Sequence, residues 1–149
     1  MAKVNPSTLR LPTSEEMVVT ITSPNLDQDI TLRLRSLSAV ALVSCAERGH
    51  SLFVKHVSGY GDPEEEGYAA PIPLPPVAGR PCVASANTLT MACALEDAQV
   101  VGDESDRYTA LDLIAFMQDT AIFNQIAAAF ERVTKTKVKQ SPNPQSSES

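Results

Sequence analysis

The sequence predicts an α+β fold: an N-terminal antiparallel β-hairpin, then a mainly α-helical body with a Pro-rich connector and a disordered C-terminal tail. Two kinds of periodicity carry that prediction. Apolar residues alternate cleanly in residues 30–35 and fill one strand face in residues 17–22, and they recur at three- and four-residue steps in residues 38–57 and 109–133. Between the helical stretches, residues 62–81 hold Pro63, Pro71, Pro73, Pro75, Pro76 and Pro81. Proline fixes φ and removes a backbone donor, so no regular internal element is expected there.

The elements follow in order. Residues 1–14 are polar, carry Pro6 and Pro12, and read as a flexible arm. Met17, Val19 and Ile21 share one strand face, and Val18, Thr20 and Thr22 the other. After a loop rich in Pro, Asn and Asp, Ile30, Leu32 and Leu34 point one way and Thr31, Arg33 and Arg35 the opposite way. A hairpin with one wet face results. From Ser38 the period lengthens: Val40, Val43, Ala46, His50, Phe53 and Val57 fall on one helical face, with Ser38 or Ser36 available as cap. Gly49 costs about 1 kcal/mol against Ala inside a helix, so the segment can split there. Ser58-Gly59-Tyr60-Gly61 stops it.

A further helix begins near Ser85 and carries Leu89, Ala92, Cys93, Ala94 and Leu95. The acidic loop Gly102–Asp106 ends it. Thr109 and Asp112 have the spacing of a capping box. One amphipathic helix is expected from there to Val133, with Leu113, Phe116, Met117, Phe123, Ile126 and Phe130 on its apolar side. Asp112, Asp119, Gln125 and Arg132 supply much of its wet side. Residues 15–134 thus form a single domain containing the connector, and residues 135–149 form a disordered tail.

Composition narrows function. The chain has 149 residues, a net charge of −6 and no Trp. The body repels phosphate backbones, so no nucleic-acid partner is expected. No uncharged apolar run is long enough to span a bilayer, and residues 1–16 lack the apolar centre of a signal peptide. Three cysteines without a C-x-x-C pair fit free thiols in a reducing cytoplasm. His50 and His56 are the two histidines, and no familiar metal spacing, Gly-rich phosphate loop or nucleophile elbow accompanies them. A metal reading would require His50, Cys45 and Glu47 to converge, and an enzyme reading would require a Cys–His pair built from distant segments. The simpler expectation is no catalytic, cofactor-binding or metal-binding residue, and no cofactor.

That leaves protein binding. The Phe116/Phe123/Phe130 stripe reads first as core. Its alternative is a groove for a partner, for which Leu113, Phe116, Met117, Phe123, Ile126 and Phe130 are the candidates. The hairpin's outer edge could also pair between copies to give a homo-oligomer.

The segment order carries a resemblance. TLRLRSLSAVALVSCAERG contains Leu34-Arg35-Ser36-Leu37-Ser38 leading into a helix, and Tyr108-Thr109-Ala110-Leu111-Asp112-Leu113-Ile114 follows an acidic loop. Over about two-thirds of its length the chain resembles the tail assembly chaperones of long-tailed bacteriophages. Two features depart from that pattern: the long stretch from Pro71 to Pro81, and the missing terminal proline of the helix around Leu89. The resemblance implies a holdase that coats the tape measure protein in the host cytoplasm until tail tube protein displaces it. Such proteins are often made in two lengths by frameshifting, and Lys135–Lys139 lies where such a shift could fall. Alternatives are a small structural neck or tail component of a phage particle, a protein-binding adaptor unrelated to phages, and a Cys-dependent small enzyme.

Overall fold

The computed structural model describes residues 3–10, 15–102 and 106–135. It is a mixed α+β fold: a two-stranded antiparallel sheet followed by four helices. Strand β1 (Glu16–Ile21) pairs with β2 (Ile30–Arg35) in the register Met17↔Leu34, Val19↔Leu32 and Ile21↔Ile30. The expected apolar faces therefore coincide. Ile21, Ile30, Leu32 and Leu34 are buried, and Arg33 and Arg35 lie outside, both ion-paired with Glu16. These pairs, Arg33 first, hold the Glu16 carboxyl below its ordinary range. In the arm, residues 3–10 are exposed and include one 3-10 turn (Pro6–Thr8); its remainder, and tail residues 136–149, lie outside the described residues.

The long hairpin loop is gripped from a distance. The Gln125 side chain accepts from Thr22 N–H at 3.0 Å and donates to Thr22 O at 2.7 Å. Asp119 accepts from Ser23 Oγ at 3.2 Å and from Asn25 Nδ2 at 2.6 Å. On the other side of the hairpin, Val100 N–H donates to Arg33 O at 2.7 Å, and Gln99 bridges to Leu34, so the outer edge of β2 is partly covered.

Helix α1 (Ala39–Phe53) starts at Ser38, whose hydroxyl accepts from Ala41 N–H. It does not split at Gly49. It runs on into a wider π turn, Val54–Ser58, and stops at Gly59, whose φ is +72°. Of the apolar stripe read from its sequence only Phe53 packs against the core: Val40 is 81% exposed, Val43 60%, and Ala46 and His50 are also exposed. The helix instead buries Cys45 and Gly49, with Leu42 and Leu52 packed alongside. The cause is its neighbour α2 (Ala86–Ala98), which buries six residues and needs a close, flat partner. Small residues supply that flatness, and hydrophobic periodicity does not register them.

Gly49 marks the closest approach. A Cβ there would lie 2.6 Å from Thr90 Oγ1, 2.8 Å from Thr90 N and 2.9 Å from its Cα. Backbone atoms cannot swing away as a flexible side chain can.

Helix α2 begins with a capping box between Ser85 and Thr88. The predicted box at Thr109 and Asp112 opens α3 (Ala110–Phe116). The single C-terminal helix expected from the sequence is two helices. The chain breaks at Met117–Asp119, and Asp119 caps α4 (Thr120–Thr134) by accepting from Ile122 N–H at 3.0 Å. An Asp that reads as wet-side helix surface thus starts a new helix and, with the same carboxylate, holds the hairpin loop.

Residues 62–81 contain no helix or strand, as their prolines require. A tight turn at Ala78–Gly79, both with positive φ, joins Val77 and Arg80 through reciprocal 2.9 Å hydrogen bonds. Leu74 is the buried anchor of this segment.

Gly49→Ala gains about 1 kcal/mol of helix propensity. It also forces a methyl group into backbone, at a cost of about 1–3 kcal/mol or more. Chemical denaturation is expected to show net destabilisation; an increase in stability would refute the close approach.

Candidate functional site

The titratable groups gather where α1, α2 and α3 meet. Arg48 of α1 forks onto two carboxylates of α2, Glu96 and Asp97, with a 2.7 Å contact to Asp97. Glu96 uses its other oxygen to accept the Ala110 N–H at the start of α3, at 2.8 Å. Asp97 also accepts from the Cys45 thiol at 3.2 Å. One arginine therefore fastens two helices, and one glutamate passes the attachment to a third. Each partner retains solvent contact, which screens the charges and limits their contribution to stability.

This cluster does not make a reactive thiol. Burial first, and the Asp97 carboxylate second, push the Cys45 thiol up to about 12. Burial also raises Cys93 and Cys82. A protonated thiol is a poor nucleophile at neutral pH. His56 is held by Ile72 O at 2.8 Å through Nδ1. The set His50, Cys45 and Glu47 does not converge: Cys45 is buried against α2, whereas Glu47 and His50 are exposed on the opposite side of α1. Among the described residues no group of three or more His, Cys, Asp or Glu is placed to hold a metal ion.

A concave apolar site lies elsewhere, between the proline segment and α3. Leu74, Pro75, Pro76 and Val77 form one wall, and Leu111, Ile114 and Ala115 the other, with Cys82 and Asp112 completing a cleft of about 160 Å³. Its walls are fixed by hydrogen bonds outside the cleft. Gln118, just beyond α3, accepts from Val83 N–H and donates to Val83 O, both at 3.0 Å, holding the segment that carries Cys82. The Asp112 carboxylate is occupied by the Thr109 N–H at 3.0 Å, which leaves the lining essentially apolar. Val83, next to Cys82 in the chain, is 78% exposed.

The volume decides what fits. Small-molecule pockets usually span about 300–1,000 Å³, whereas a dry apolar space of roughly 150 Å³ takes a single benzene-sized group. At about 160 Å³ the cleft suits one Leu, Met or Phe side chain from another protein.

The sequence candidates occupy different ground. Leu113, Met117 and Ile126 are buried in the core, and Phe116, Phe123 and Phe130 are half-buried against it. Phe116 also packs edge-on to Tyr108, with ring centroids 5.8 Å apart. No partner reaches Leu113 or Ile126 without opening the core. The cleft instead uses Leu111 and Ala115, on the flank of the same helix, and a proline wall that sequence reading treats as a connector. The available signal was Leu74 and Val77 set among prolines.

The chain matches no family model, no curated protein and no solved structure. Among the described residues no helix is long and apolar enough to cross a membrane.

The raised Cys45 pKa has a consequence for stability. A thiol whose folded-state pKa lies above its ordinary value of about 9 contributes stability that is fully present below pH 9 and is lost as pH rises toward 12. Denaturation from pH 8 to 11 is expected to show falling stability. The Cys45→Ala chain should have a shallower slope, by up to about 1.4 kcal/mol per pH unit. Equal slopes would show that Cys45 ionises as freely folded as unfolded.

Proposed function

We propose that this chain is a non-catalytic binding protein, a tail assembly chaperone of a long-tailed bacteriophage acting in the host cytoplasm. It holds the tape measure protein soluble until tail tube protein displaces it. The observation that supports this reading best is the open apolar cleft between Leu74–Val77 and α3, sized for one apolar side chain. Fully burying a Leu or Phe side chain contributes about 1.5–3 kcal/mol. A single such anchor gives weak, exchangeable contact, which suits repeated binding along a long apolar helix and later displacement. The net charge of −6 keeps such a loaded complex soluble.

This reading moves the partner-binding residues from the buried stripe to the two walls of the cleft: Ala115 and Leu111 of α3 and Val77 opposite them become the contact residues. Ala115→Phe fills the cleft from within. It is expected to leave thermal unfolding close to that of the parent while abolishing the effect on the client. The assay co-expresses the chain with a long, helix-rich open reading frame encoded beside it. A client that is soluble with the parent chain and pellets with Ala115→Phe carries the proposal, as does slower alkylation of Cys82 in the complex. Client solubility that is indifferent to the chain removes the chaperone reading. Stoichiometric presence of the chain in purified particles would replace it with a structural role.

A further inference from the structure

The outward face of α1 has a pattern of its own. Val40, Val43, Glu47, His50, Val54 and Val57 follow one another at alternating steps of three and four, the spacing of a coiled-coil seam. Five of the six seam positions lie on the solvent side, Val40 81% exposed, Val43 60%, Val57 37%, with Glu47 and His50 also exposed, and Val54 is half-buried. The side of the helix that packs against α2 carries Cys45 and Gly49 instead. Beside the seam stand Ala39, Ser44, Ala46 and Ser51, all exposed and all small. They leave room for a second helix to approach closely and place no charge in its way.

The seam is complementary to itself in one orientation only. If a second copy runs antiparallel, Val40 meets Val57, Val43 meets Val54, and Glu47 meets His50, with each pair formed twice about a two-fold axis. Each layer then joins the two alternating seam positions, as antiparallel coiled coils require. The imidazole N–H of His50 donates to the partner's Glu47 carboxylate, and Val layers flank these polar pairs on either side. A parallel pair would instead set Glu47 against Glu47 and His50 against His50. We propose that two copies of this chain associate antiparallel through α1, using the Val40–Val57 seam with reciprocal Glu47–His50 pairs.

The seam is short. Fifteen helical residues extend about 22 Å at 1.5 Å per residue, and the π turn that follows carries the last two seam positions, Val54 and Val57. The expected product is a concentration-dependent dimer rather than an obligate one. Pairing through α1 leaves the cleft against α3 on different elements, so each copy keeps its own cleft and a dimer presents two. This inference stands apart from the proposed client.

Sedimentation of the full chain tests it. The parent is expected to move from the 15.9 kDa chain mass toward twice that mass as concentration rises. Val43→Glu places a carboxylate against Val54 in two layers of the dimer and should raise the dissociation constant at least about tenfold. Because Val43 is exposed, its circular dichroism and thermal unfolding at low concentration should match the parent. His50→Glu should weaken association by setting carboxylate against carboxylate, and adding Glu47→Lys to it should restore association. A parent chain that stays at 15.9 kDa up to its solubility limit overturns the proposal. So does an unchanged dissociation constant for Val43→Glu, which would assign association to another surface such as the β1 edge. A double variant no tighter than His50→Glu alone overturns the antiparallel register.

Discussion

The contact of α1 with α2 at Gly49 and Thr90 is the constraint on which the other packing depends. A Cβ at Gly49 would fall within 3 Å of Thr90 backbone, so the two helices touch main chain to main chain. That closeness brings Cys45 to Asp97 and Arg48 to Glu96 and Asp97, about two turns along α2 from Thr90. Glu96 in turn holds the first N–H of α3. Were the helices separated by a larger residue, Arg48 would have to stretch to reach the α2 carboxylates and the start of α3 would shift. Since α3 is a wall of the cleft, the site inherits its position from a glycine on a different helix.

The second long-range fastening is polar. Asp119, the cap of α4, and Gln125, in its second turn, hold Thr22, Ser23 and Asn25 of the hairpin loop. A two-stranded sheet is marginal by itself. Here its inner face lies on the helices, and both its loop and its outer strand are tied to distant segments. The same Asp119 carboxylate also caps α4, so helix initiation and hairpin placement are coupled through one residue. Its carboxyl is held below its ordinary range by Asn25 and by the Ile122 N–H, which favours the ionised form that all of these contacts use.

The two outward apolar features differ in kind. The cleft beside α3 is concave, small and bounded by rigid proline backbone, which fits a single side chain entering from outside. The seam along α1 and its π turn is convex, which fits another helix and, by its reciprocal pattern, a copy of itself. The Cys45 and Cys93 thiols are buried away from both features, Cys82 is half-buried in the cleft wall, and the carboxylates of the three-helix junction are engaged by Arg48, Cys45 and backbone.

The amino-acid sequence by itself determined the elements whose signal is local. The alternation in residues 17–21 and 30–35 fixed both strands and their inner faces, because period two admits no other facing. Ser38, Ser85 and Thr109 marked three helix starts, because a cap acts within three residues of itself. The prolines of residues 62–81 ruled out a regular element there. What only the tertiary structure decided concerns facing and distance. Hydrophobic spacing put Val40 and Val43 forward as a face to bury, yet burial went to Cys45 and Gly49, because close helix packing selects small size over hydrophobicity. The break at Asp119 was hidden inside an unbroken apolar stripe, since its cause lies in the hairpin loop as well as in the cap. The cleft was hidden too, because its walls come from segments tens of residues apart and become one surface only when Gln118 and Glu96 draw them together.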